Sequence, residues 1–304
     1  MTKRILITGI TGFTGRYVAR KFIDLGYEVY GFSHSHNRKM DGVNEIYAIS
    51  LNNYEGLKQV IDQIRPHYVI HLAAISFVAH SDISELYETN IIGTRNLLEA
   101  LKNSHSLPES VIVASSANVY GNNSSGQPLN EATPLAPVND YAVTKVSGEY
   151  ISSLYSHIFP ITVVRPFNYT GVFQHNNFLV PKIIEAAKAK QPVIELGNLD
   201  VARDFSDIRD VAKFYSELIT IPDIWTLRTI NICSGQAYTL SQILDYVQKA
   251  ANHQFDEVKV NPAFVRANEI KLLVGDPTLL NQTVTNINRY SLVDTIEWMA
   301  FSTI

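Results

Sequence analysis

The sequence predicts an α/β fold in which a doubly wound parallel sheet is followed by a smaller carboxyl-terminal lobe. Three observations predict this fold. Strand-like and amphipathic helical segments alternate over the first two-thirds of the 304 residues. The strand-like segments are continuous apolar runs, which is typical of sheets covered on both faces. From about Phe167 onward the alternation becomes less regular, which indicates a second lobe.

Segments with the length and composition of buried strands fill the first part of the chain. They cover residues 4–8, 28–32, 45–48, 68–72, 110–115 and 161–165. Amphipathic helical segments lie between them at residues 15–24, 54–64, 85–103 and 140–157. The pattern predicts one domain at residues 1–168 with about 205–235, and a second, smaller lobe at about 169–204 and 236–304.

The composition excludes several classes of partner. Hydrophobic residues make up 46% of the chain and the net charge is −4, so a sizeable core is expected and a basic surface is not. Nucleic acid and anionic membranes are therefore not expected as partners. The chain shows no run long enough for a membrane span and no signal-peptide pattern, so we expect a cytoplasmic protein. Its single cysteine, Cys233, is interpreted as a core thiol.

A glycine-rich turn after the first strand points to cofactor binding. Gly9, Gly12 and Gly15 recur every three residues in ILITGITGFTGRYVARKF. Glycines let the backbone come close to a pyrophosphate, which the amino end of the following helix stabilises through its dipole. The turn therefore predicts a dinucleotide site on a Rossmann-type sheet. Its spacing resembles that of the extended short-chain dehydrogenase/reductase family.

The end of the second strand indicates which dinucleotide binds. An acidic residue there commonly holds the ribose 2′-hydroxyl of NAD. This chain has Ser33 and His34 instead, with Arg38 and Lys39 just beyond. Hydroxyls and cations suit a 2′-phosphate, so we expect NADP(H) in preference to NAD(H), unless the two cations are only solvated loop charges. His34 and His36 lack an evident third ligand, and no metal site is expected.

A tyrosine and a lysine four residues apart predict an acid–base pair. Tyr141 and Lys145 in DYAVTKVSGEY share one face of a helix. An adjacent ammonium favours the phenolate form of a tyrosine, which can exchange a proton with a carbinol while hydride moves to or from nicotinamide. Ser116 follows the strand in VIVASSANVYG, at the end of the sheet where ligands bind, and can hold the reacting oxygen.

Together these motifs resemble the extended short-chain dehydrogenase/reductase family over essentially the whole chain. The glycine turn, HLAA, SSANVYG, the Tyr141–Lys145 pair and RPFN occur in the order found in that family. The resemblance implies that Ser116, Tyr141 and Lys145 are catalytic. It implies a cofactor site of Gly9, Gly12, Phe13, Thr14, Gly15, Ser33, His34, Arg38, Asn52, Leu72, Ala73, Ala74, Asn90, Tyr141 and Lys145. Asn52 stands where relatives often have aspartate, so its contact with the adenine departs from the family pattern.

The second lobe resembles nucleotide-sugar enzymes, especially GDP-mannose 4,6-dehydratases and GDP-4-keto-6-deoxymannose reductases. The similar segments are ELGNLDVARDFSDIRDVAKFY and VRANEIKLLVGDPTLL, with Ala267 in place of proline. Arg203 and Arg266 can bind a diphosphate through their guanidinium forks, with surface or structural ion pairs as the alternative, and Glu269 can reach a ribose or a base. The implied substrate-binding residues are Ser115, Asn118, Asn168, Val180, Gly197, Arg203, Arg266 and Glu269.

The residues after Ser116 favour hydride transfer over dehydration. A 4,6-dehydratase needs a further acid–base group, usually a carboxylate directly after the catalytic serine or threonine, whereas here Ala117 and Asn118 follow. The resemblance then implies NADPH-dependent reduction of the C4 keto group of an NDP-4-keto-6-deoxyhexose, with GDP favoured and dTDP as a competitor. A C4 epimerase that retains NAD is the main alternative. A dehydratase and a non-catalytic NADP-binding protein are further alternatives.

The resemblance also implies an assembly and a metabolic setting. Members of the family commonly dimerise through two helices per subunit, which form a four-helix bundle. Here residues 85–103 and 140–157 would supply those helices, and their apolar faces permit a homodimer, although burial within one chain would give the same pattern. The expected setting is deoxysugar biosynthesis for a polysaccharide or O-antigen.

Overall fold

The computed structural model describes residues 2–34, 39–76, 82–122, 126–221, 228–265, 270–284 and 289–302. The chain forms two compact units. Unit 1 consists of Met1–Val119, Pro137–Arg165 and Ala212–Ile230, and unit 2 of Tyr120–Ala136, Pro166–Val211 and Asn231–Ile304. By this division residues 120–136, 166–168, 205–211 and 231–235 fall in unit 2, whereas the sequence analysis placed them in the first domain.

The secondary structure alternates strands and helices along both units. The strands are β1 (Arg4–Thr8), β2 (Glu28–Ser33), β3 (Glu45–Ala48), β4 (Tyr68–His71), β5 (Ser110–Ala114), β6 (Ile161–Pro166), β7 (Asn168–Thr170), β8 (Val193–Leu196), β9 (Ala202–Asp207), β10 (Arg228–Ile232), β11 (Ala237–Thr239), β12 (Glu257–Val260) and β13 (Leu272–Leu273). The α-helices are α1 (Phe13–Asp24), α2 (Tyr54–Ile64), α3 (Ile83–Tyr87), α4 (Gly93–Lys102), α5 (Asp140–Tyr155), α6 (Leu179–Lys188), α7 (Ile208–Leu218), α8 (Leu240–Ala250), α9 (Thr278–Thr283) and α10 (Leu292–Phe301).

The central sheet confirms the predicted parallel architecture. In the described residues its strand order is β10-β6-β5-β4-β1-β2-β3. Parallel pairing joins the strands from β3 to β6 in that order. The order reverses between β1 and β4, and such a switch point is where ligands bind in open α/β sheets. Thr8 and His71, the last residues of these two strands, are register partners at that point.

One face of the sheet packs against α2, α4 and α5. This core includes Leu6, Val69 and Val111 from the strands, Leu57 and Ile61 from α2, Leu97 and Leu101 from α4, and Tyr155 from α5. Burial of each large aliphatic side chain contributes about 1.5–3 kcal/mol, so this packing fixes the two helices that carry functional residues against the sheet.

The helix predicted at residues 85–103 is interrupted by a π-helical segment. α3 passes into π-helical geometry at Glu88–Ile92 and then into α4. Asn90 lies at the centre of this segment and is buried. π-helical turns are rare and occur mostly at functional sites, because the wider turn redirects side chains and carbonyl groups. Hydrophobic periodicity did not predict the interruption.

Unit 2 has its own small sheets and its own core. Within the described ranges β9 pairs with β7 and β13 in parallel and with β11 in antiparallel, and β8 pairs with β12 in parallel. α6, α8 and α10 cover a separate core that includes Val180, Ile183, Ile243, Val247 and Ile296.

No helix in the part of the chain that the structure describes is long and apolar enough to cross a bilayer. The same residues hold no group of three His, Cys, Asp or Glu side chains that could bind a metal ion.

Candidate active site

The turn from β1 to α1 has the close-packed backbone that a dinucleotide pyrophosphate requires. Gly9 adopts φ +67°, and a Cβ added at Gly15 would lie 2.3 Å from the carbonyl oxygen of Gly9. α1 begins at Phe13, next to Thr14, and has no acidic residue in its first turn. Its amino end is therefore open to a negative charge, and the residues present fit a dinucleotide phosphate.

The loop after β4 is fixed beside this turn. The Thr8 hydroxyl oxygen accepts hydrogen bonds from the backbone N–H groups of Leu72 at 3.1 Å and Ala73 at 3.0 Å. A Cβ added at Gly9 would lie 3.0 Å from the backbone of Ala73. Leu72, Ala73 and the half-buried Ala74 thus follow the strand end at the switch point, where the sequence predicts the cofactor cleft.

The end of β2 has a hydroxyl and no carboxylate. Ser33 is 4% exposed, and its Oγ lies 2.9 Å from the Thr11 hydroxyl of the glycine turn. His34 is exposed, Asn52 is exposed on the neighbouring loop, and Arg38 lies outside the described residues. The bond between Ser33 and Thr11 holds the glycine turn against the end of β2.

Ser116, Tyr141 and Lys145 belong to unit 1 and converge on the carboxyl end of β5. Asn139 caps α5 by accepting a hydrogen bond from the Ala142 N–H, which places Tyr141 in the first helical turn. Lys145 follows one turn later, and its Nζ donates to the carbonyl oxygen of Ala114 at 2.9 Å. The Nζ atom lies 5.8 Å from the centre of the Tyr141 ring. Ser116 comes two residues after Ala114, so β5 and α5 bring the three groups to one strand end.

The Ser116 hydroxyl is oriented by Asn118. Ser116 Oγ accepts hydrogen bonds from the backbone N–H of Asn118 at 3.2 Å and from its side-chain amide at 3.1 Å. An oxygen that accepts two bonds presents its own hydrogen as a donor. Ser116 is therefore suited to donate to a substrate oxygen, and Asn118 acts on the serine as a positioning residue.

A buried ion pair lies one turn beyond Lys145. The Arg165 guanidinium donates to both oxygens of Glu149, with Nε–Oε1 at 2.9 Å and Nη2–Oε2 at 2.6 Å. The Ser115 hydroxyl donates to the same carboxylate. Burial lowers the pKa of Lys145 to about 8, and the negative charge of Glu149 opposes that decrease. The cluster thus keeps part of the charge on the lysine that stands beside Tyr141.

Asn90 ties the π-helical segment to α5. Its amide oxygen accepts the Ile75 N–H at 2.8 Å, and its amide nitrogen donates to Ile75 O and to the Thr144 hydroxyl, both at 3.0 Å. The Thr144 hydroxyl donates to the carbonyl oxygen of Tyr141 at 2.8 Å. The Asn90 amide therefore helps to set the position of the tyrosine turn.

This arrangement can transfer a proton between the Tyr141 phenol and an oxygen atom of a bound molecule. A phenol beside an ammonium can donate or accept a proton, and a serine hydroxyl can hold the oxygen in place. The glycine turn and the Leu72–Ala74 loop would hold a nicotinamide dinucleotide, which supplies hydride chemistry when bound.

The predicted substrate residues of unit 2 are held by other parts of that unit. Val180 is 1% exposed in the core. A Cβ at Gly197 would lie 2.9 Å from the Phe264 carbonyl oxygen. The Asn168 amide donates to Asp204 O at 3.2 Å, and Arg203 Nη1 donates to Ala202 O at 2.9 Å.

The substrate roles of these residues stay predictions. Arg266 and Glu269 lie outside the described residues. In unit 1, Ser115 is 6% exposed and is bonded to Glu149, so the structure gives its hydroxyl a partner within the protein.

Sequence reasoning missed several polar residues that the structure brings together. Thr8 and His71 end otherwise apolar strands, and a polar residue at such a strand end is a usable signal. Glu149 lies four residues after Lys145 on the helix face that begins with Tyr141, so its spacing was a signal as well. The link between Glu149 and Arg165 spans two elements and had no local signal.

Comparisons with known proteins find similar sequences over almost the whole chain. The family described as GDP-mannose 4,6 dehydratase matches residues 6–299. A GDP-6-deoxy-D-talose 4-dehydrogenase from Aggregatibacter actinomycetemcomitans is 35% identical over 296 residues, which are 96% of this chain and 95% of the relative. A GDP-6-deoxy-D-mannose reductase from Pseudomonas aeruginosa is 27% identical, over 93% of this chain and 91% of the relative.

Solved structures have the same fold. A candidate epimerase from Burkholderia cenocepacia is 39% identical, with a TM-score of 0.90 over 98% of this chain and 97% of that chain. A UDP-glucose 4-epimerase from Thermus thermophilus in complex with NAD is 23% identical, with a TM-score of 0.85 over 98% and 97% of the two chains. At that identity the second likeness shows the fold alone.

Proposed function

Since the chain belongs to the GDP-mannose 4,6-dehydratase family of extended short-chain dehydrogenases/reductases, which modify nucleotide sugars, we propose that it is a C4 ketoreductase. Its substrate would be an NDP-4-keto-6-deoxyhexose and its product an NDP-6-deoxyhexose. The relatives from Aggregatibacter and Pseudomonas are named as a 4-dehydrogenase and a reductase of GDP-6-deoxyhexoses, and both names describe oxidation or reduction of a sugar.

The observation that carries this proposal is the environment of Ser116. Dehydration removes a proton from C5 and expels the C6 hydroxyl, which needs an additional acid–base group. The positions after Ser116 hold Ala117 and Asn118, and the Asn118 amide is engaged in a hydrogen bond to Ser116 Oγ. The carboxylate of Glu149 is in an ion pair with Arg165. The site therefore favours proton transfer at one oxygen.

In the proposed reaction each residue of the set has one role. Ser116 donates a hydrogen bond to the C4 oxygen and holds it. Tyr141 transfers its phenolic proton to that oxygen as the ketone becomes an alcohol. The Lys145 ammonium stabilises the phenolate that remains. NADPH, when bound, supplies the hydride.

We propose NADP(H) as the preferred cofactor. The proposal rests on β2, which ends at Ser33 and is followed by His34, so that no carboxylate stands at the position where the adenosine ribose is commonly held. The Thermus thermophilus structure was solved with NAD, so the cofactor preference of this chain should be measured directly. A higher kcat/KM with NADPH than with NADH would support the proposal, and equal or reversed values would contradict it.

GDP is the proposed nucleotide, since the two relatives compared by sequence are named for GDP sugars. dTDP is the competitor in the assay. Participation in polysaccharide or O-antigen biosynthesis and a cytoplasmic location stay predictions.

A homodimer through α4 and α5 is proposed from exposed apolar side chains. Tyr150 and Leu154 lie one turn apart on α5 and are 68% and 66% exposed, and Ile92 before α4 is 47% exposed. A second copy could cover such a surface. Light scattering of the wild type and of Leu154→Asp tests the interface: dimers that become monomers support it, and a wild-type monomer contradicts it.

A C4 epimerase is the second candidate, since the protein compared from Burkholderia cenocepacia is a candidate epimerase at 39% identity. An epimerase would retain NAD through purification and interconvert saturated NDP-sugars without added reductant.

The deciding assay combines cofactor and product analysis. The purified protein is incubated with NADPH and either GDP- or dTDP-4-keto-6-deoxyhexose, and the product is identified by NMR. Stoichiometric NADPH oxidation with a C4 alcohol supports the reductase. Interconversion of saturated sugars by tightly bound NAD, or no reaction with either keto-sugar, contradicts it.

A further inference from the structure

His71 lies in a buried network that connects the cofactor turn with the π-helical segment. The residue is 3% exposed at the end of β4. Its Nδ1 lies 2.8 Å from the Thr8 hydroxyl of β1, and its Nε2 lies 2.9 Å from the Thr94 hydroxyl of α4. The sequence analysis assigned no role to any of these three side chains.

The direction of each hydrogen bond on the Thr94 side follows from a backbone carbonyl. The Thr94 hydroxyl donates to the carbonyl oxygen of Asn90 at 2.6 Å. A hydroxyl has one hydrogen, so Thr94 must accept in its contact with His71. The proton of the imidazole is therefore on Nε2.

The Thr8 side gives the same answer independently. The Thr8 oxygen already accepts the N–H groups of Leu72 and Ala73. Its hydrogen is then directed at His71 Nδ1, which must be an acceptor. Both ends of the network thus require a neutral imidazole with hydrogen on Nε2 alone.

The electrostatic surroundings favour the same neutral form. Burial lowers the pKa of His71 to about 3, and the Lys145 ammonium adds to that decrease. A protonated ring would also face a hydroxyl hydrogen on Thr8. His71 is therefore neutral near pH 7 and cannot act there as a general acid.

We propose that His71, as its neutral Nε2–H tautomer, is a positioning residue that couples the cofactor turn at Thr8 to the catalytic helix through Thr94 and Asn90. Through Nδ1 it fixes the hydroxyl that holds the Leu72–Ala73 loop. Through Nε2 it fixes the hydroxyl that donates to the Asn90 carbonyl four residues earlier, a type of bond that often bends helices. Asn90 then holds Thr144 and the Tyr141 turn.

This role predicts a separation of kinetic effects. Thr8→Val should mainly weaken dinucleotide binding, and Thr94→Val should mainly lower kcat, each by about tenfold, because small displacements of a catalytic group are costly. Thr94→Ser keeps the hydroxyl and should stay near the wild type. His71→Asn should do both, and adding Thr94→Val to it should lower kcat no further.

The test combines NMR with binding, so that it does not depend on the proposed sugar reaction on which the kinetic effects rest. Histidine labelled with ¹⁵N in the wild type should show one protonated and one unprotonated nitrogen for His71. Its signals should stay constant between about pH 5 and 8, the range in which an unperturbed imidazole changes its charge. Dinucleotide affinity is measured by calorimetry for the wild type, Thr8→Val, Thr8→Ser and Thr94→Val.

Two results of these measurements would overturn the proposed role of His71. A His71 whose signals change over that pH range, or that carries its proton on Nδ1, overturns the proposal even if a variant fails to fold. Equal dinucleotide affinity in folded Thr8→Val and Thr8→Ser also overturns it. Failure of every keto-sugar to react would count against the proposed function alone, since the tautomer and the affinities are measured without sugar.

Discussion

Two buried polar clusters in unit 1 act on the same catalytic helix by different means. The network through Thr8, His71, Thr94 and Asn90 contains hydroxyls, an imidazole and an amide without formal charge. The cluster around Glu149 and Arg165 is a bidentate ion pair. Both clusters connect the end of a strand to a helix. Glu149 lies two turns after Tyr141 on α5, and Asn90 contacts Thr144 on the same helix.

The difference shows how geometry and charge are controlled separately. Neutral hydrogen bonds have a direction, so the network determines where groups point without changing the local potential. The ion pair acts over a longer distance, and its negative member opposes the loss of charge on Lys145. A change in the network should therefore leave the pH dependence of the reaction unchanged, whereas a change in the ion pair should shift the pH dependence and lower stability by more.

The largest effect on stability is expected for Glu149→Gln. The substitution leaves the Arg165 guanidinium buried without its carboxylate, and breaking a buried pair in this way costs about 3 kcal/mol. Urea unfolding measures the decrease in the free energy of unfolding. Ser115→Ala is the matched control, since it removes one hydrogen bond to the same carboxylate and should cost about 1 kcal/mol. Equal losses for the two variants would contradict the dominant role of the ion pair.

The pH dependence should report the charge on Lys145. The ammonium stabilises the phenolate left on Tyr141, so kcat/KM for reduction should fall as pH rises through about 8, where Lys145 loses its proton. This decrease is the alkaline limb of the pH profile. In Glu149→Gln the limb should move to lower pH, because the carboxylate that favours the ammonium form of Lys145 is gone. Glu149→Asp, which keeps the charge, should stay near the wild-type profile. An unchanged alkaline limb in Glu149→Gln would show that the ion pair does not control the charge on Lys145.

The smallest effect is expected for Thr144→Val in the neutral network. The variant removes the acceptor for the Asn90 amide and the donor to the Tyr141 carbonyl, and should cost about 1 kcal/mol of unfolding free energy. Its pH profile should match the wild type, since no charge changes. Thr144→Ser restores the hydroxyl and serves as the control. A shifted alkaline limb in Thr144→Val would show that the network also controls charge.

Sequence patterns predicted the fold well because each element has a local cause. The apolar runs at β1 and β5 and the periodic spacing on α2 and α5 are physical requirements of burial, so they are visible in the sequence. The glycine turn is visible for the same kind of reason, since a Cβ at Gly15 would meet the carbonyl oxygen of Gly9 at 2.3 Å.

The candidate site was predicted only where its residues have a local pattern or belong to a family motif. Tyr141 and Lys145 share a helix face, and Ser116 follows a strand. The pairing of Glu149 with Arg165 and of His71 with Thr94 depends on which elements become neighbours in space, which no local pattern records. The π-helical turn at Asn90 adds one residue to a single turn of a long helix, and hydrophobic spacing does not detect such a change.

The proposed reduction depends on transfer of the Tyr141 proton to the C4 oxygen, with the help of Lys145 and Ser116. This step is tested by comparing NADPH binding and turnover of the keto-sugar for the wild type and Tyr141→Phe, with Tyr290→Phe in unit 2 as the control because the Tyr290 side chain is 47% exposed. We expect Tyr141→Phe to bind NADPH normally and to lose turnover by about 10³-fold, while the control is unaffected. Turnover near the wild-type rate in Tyr141→Phe would contradict the account.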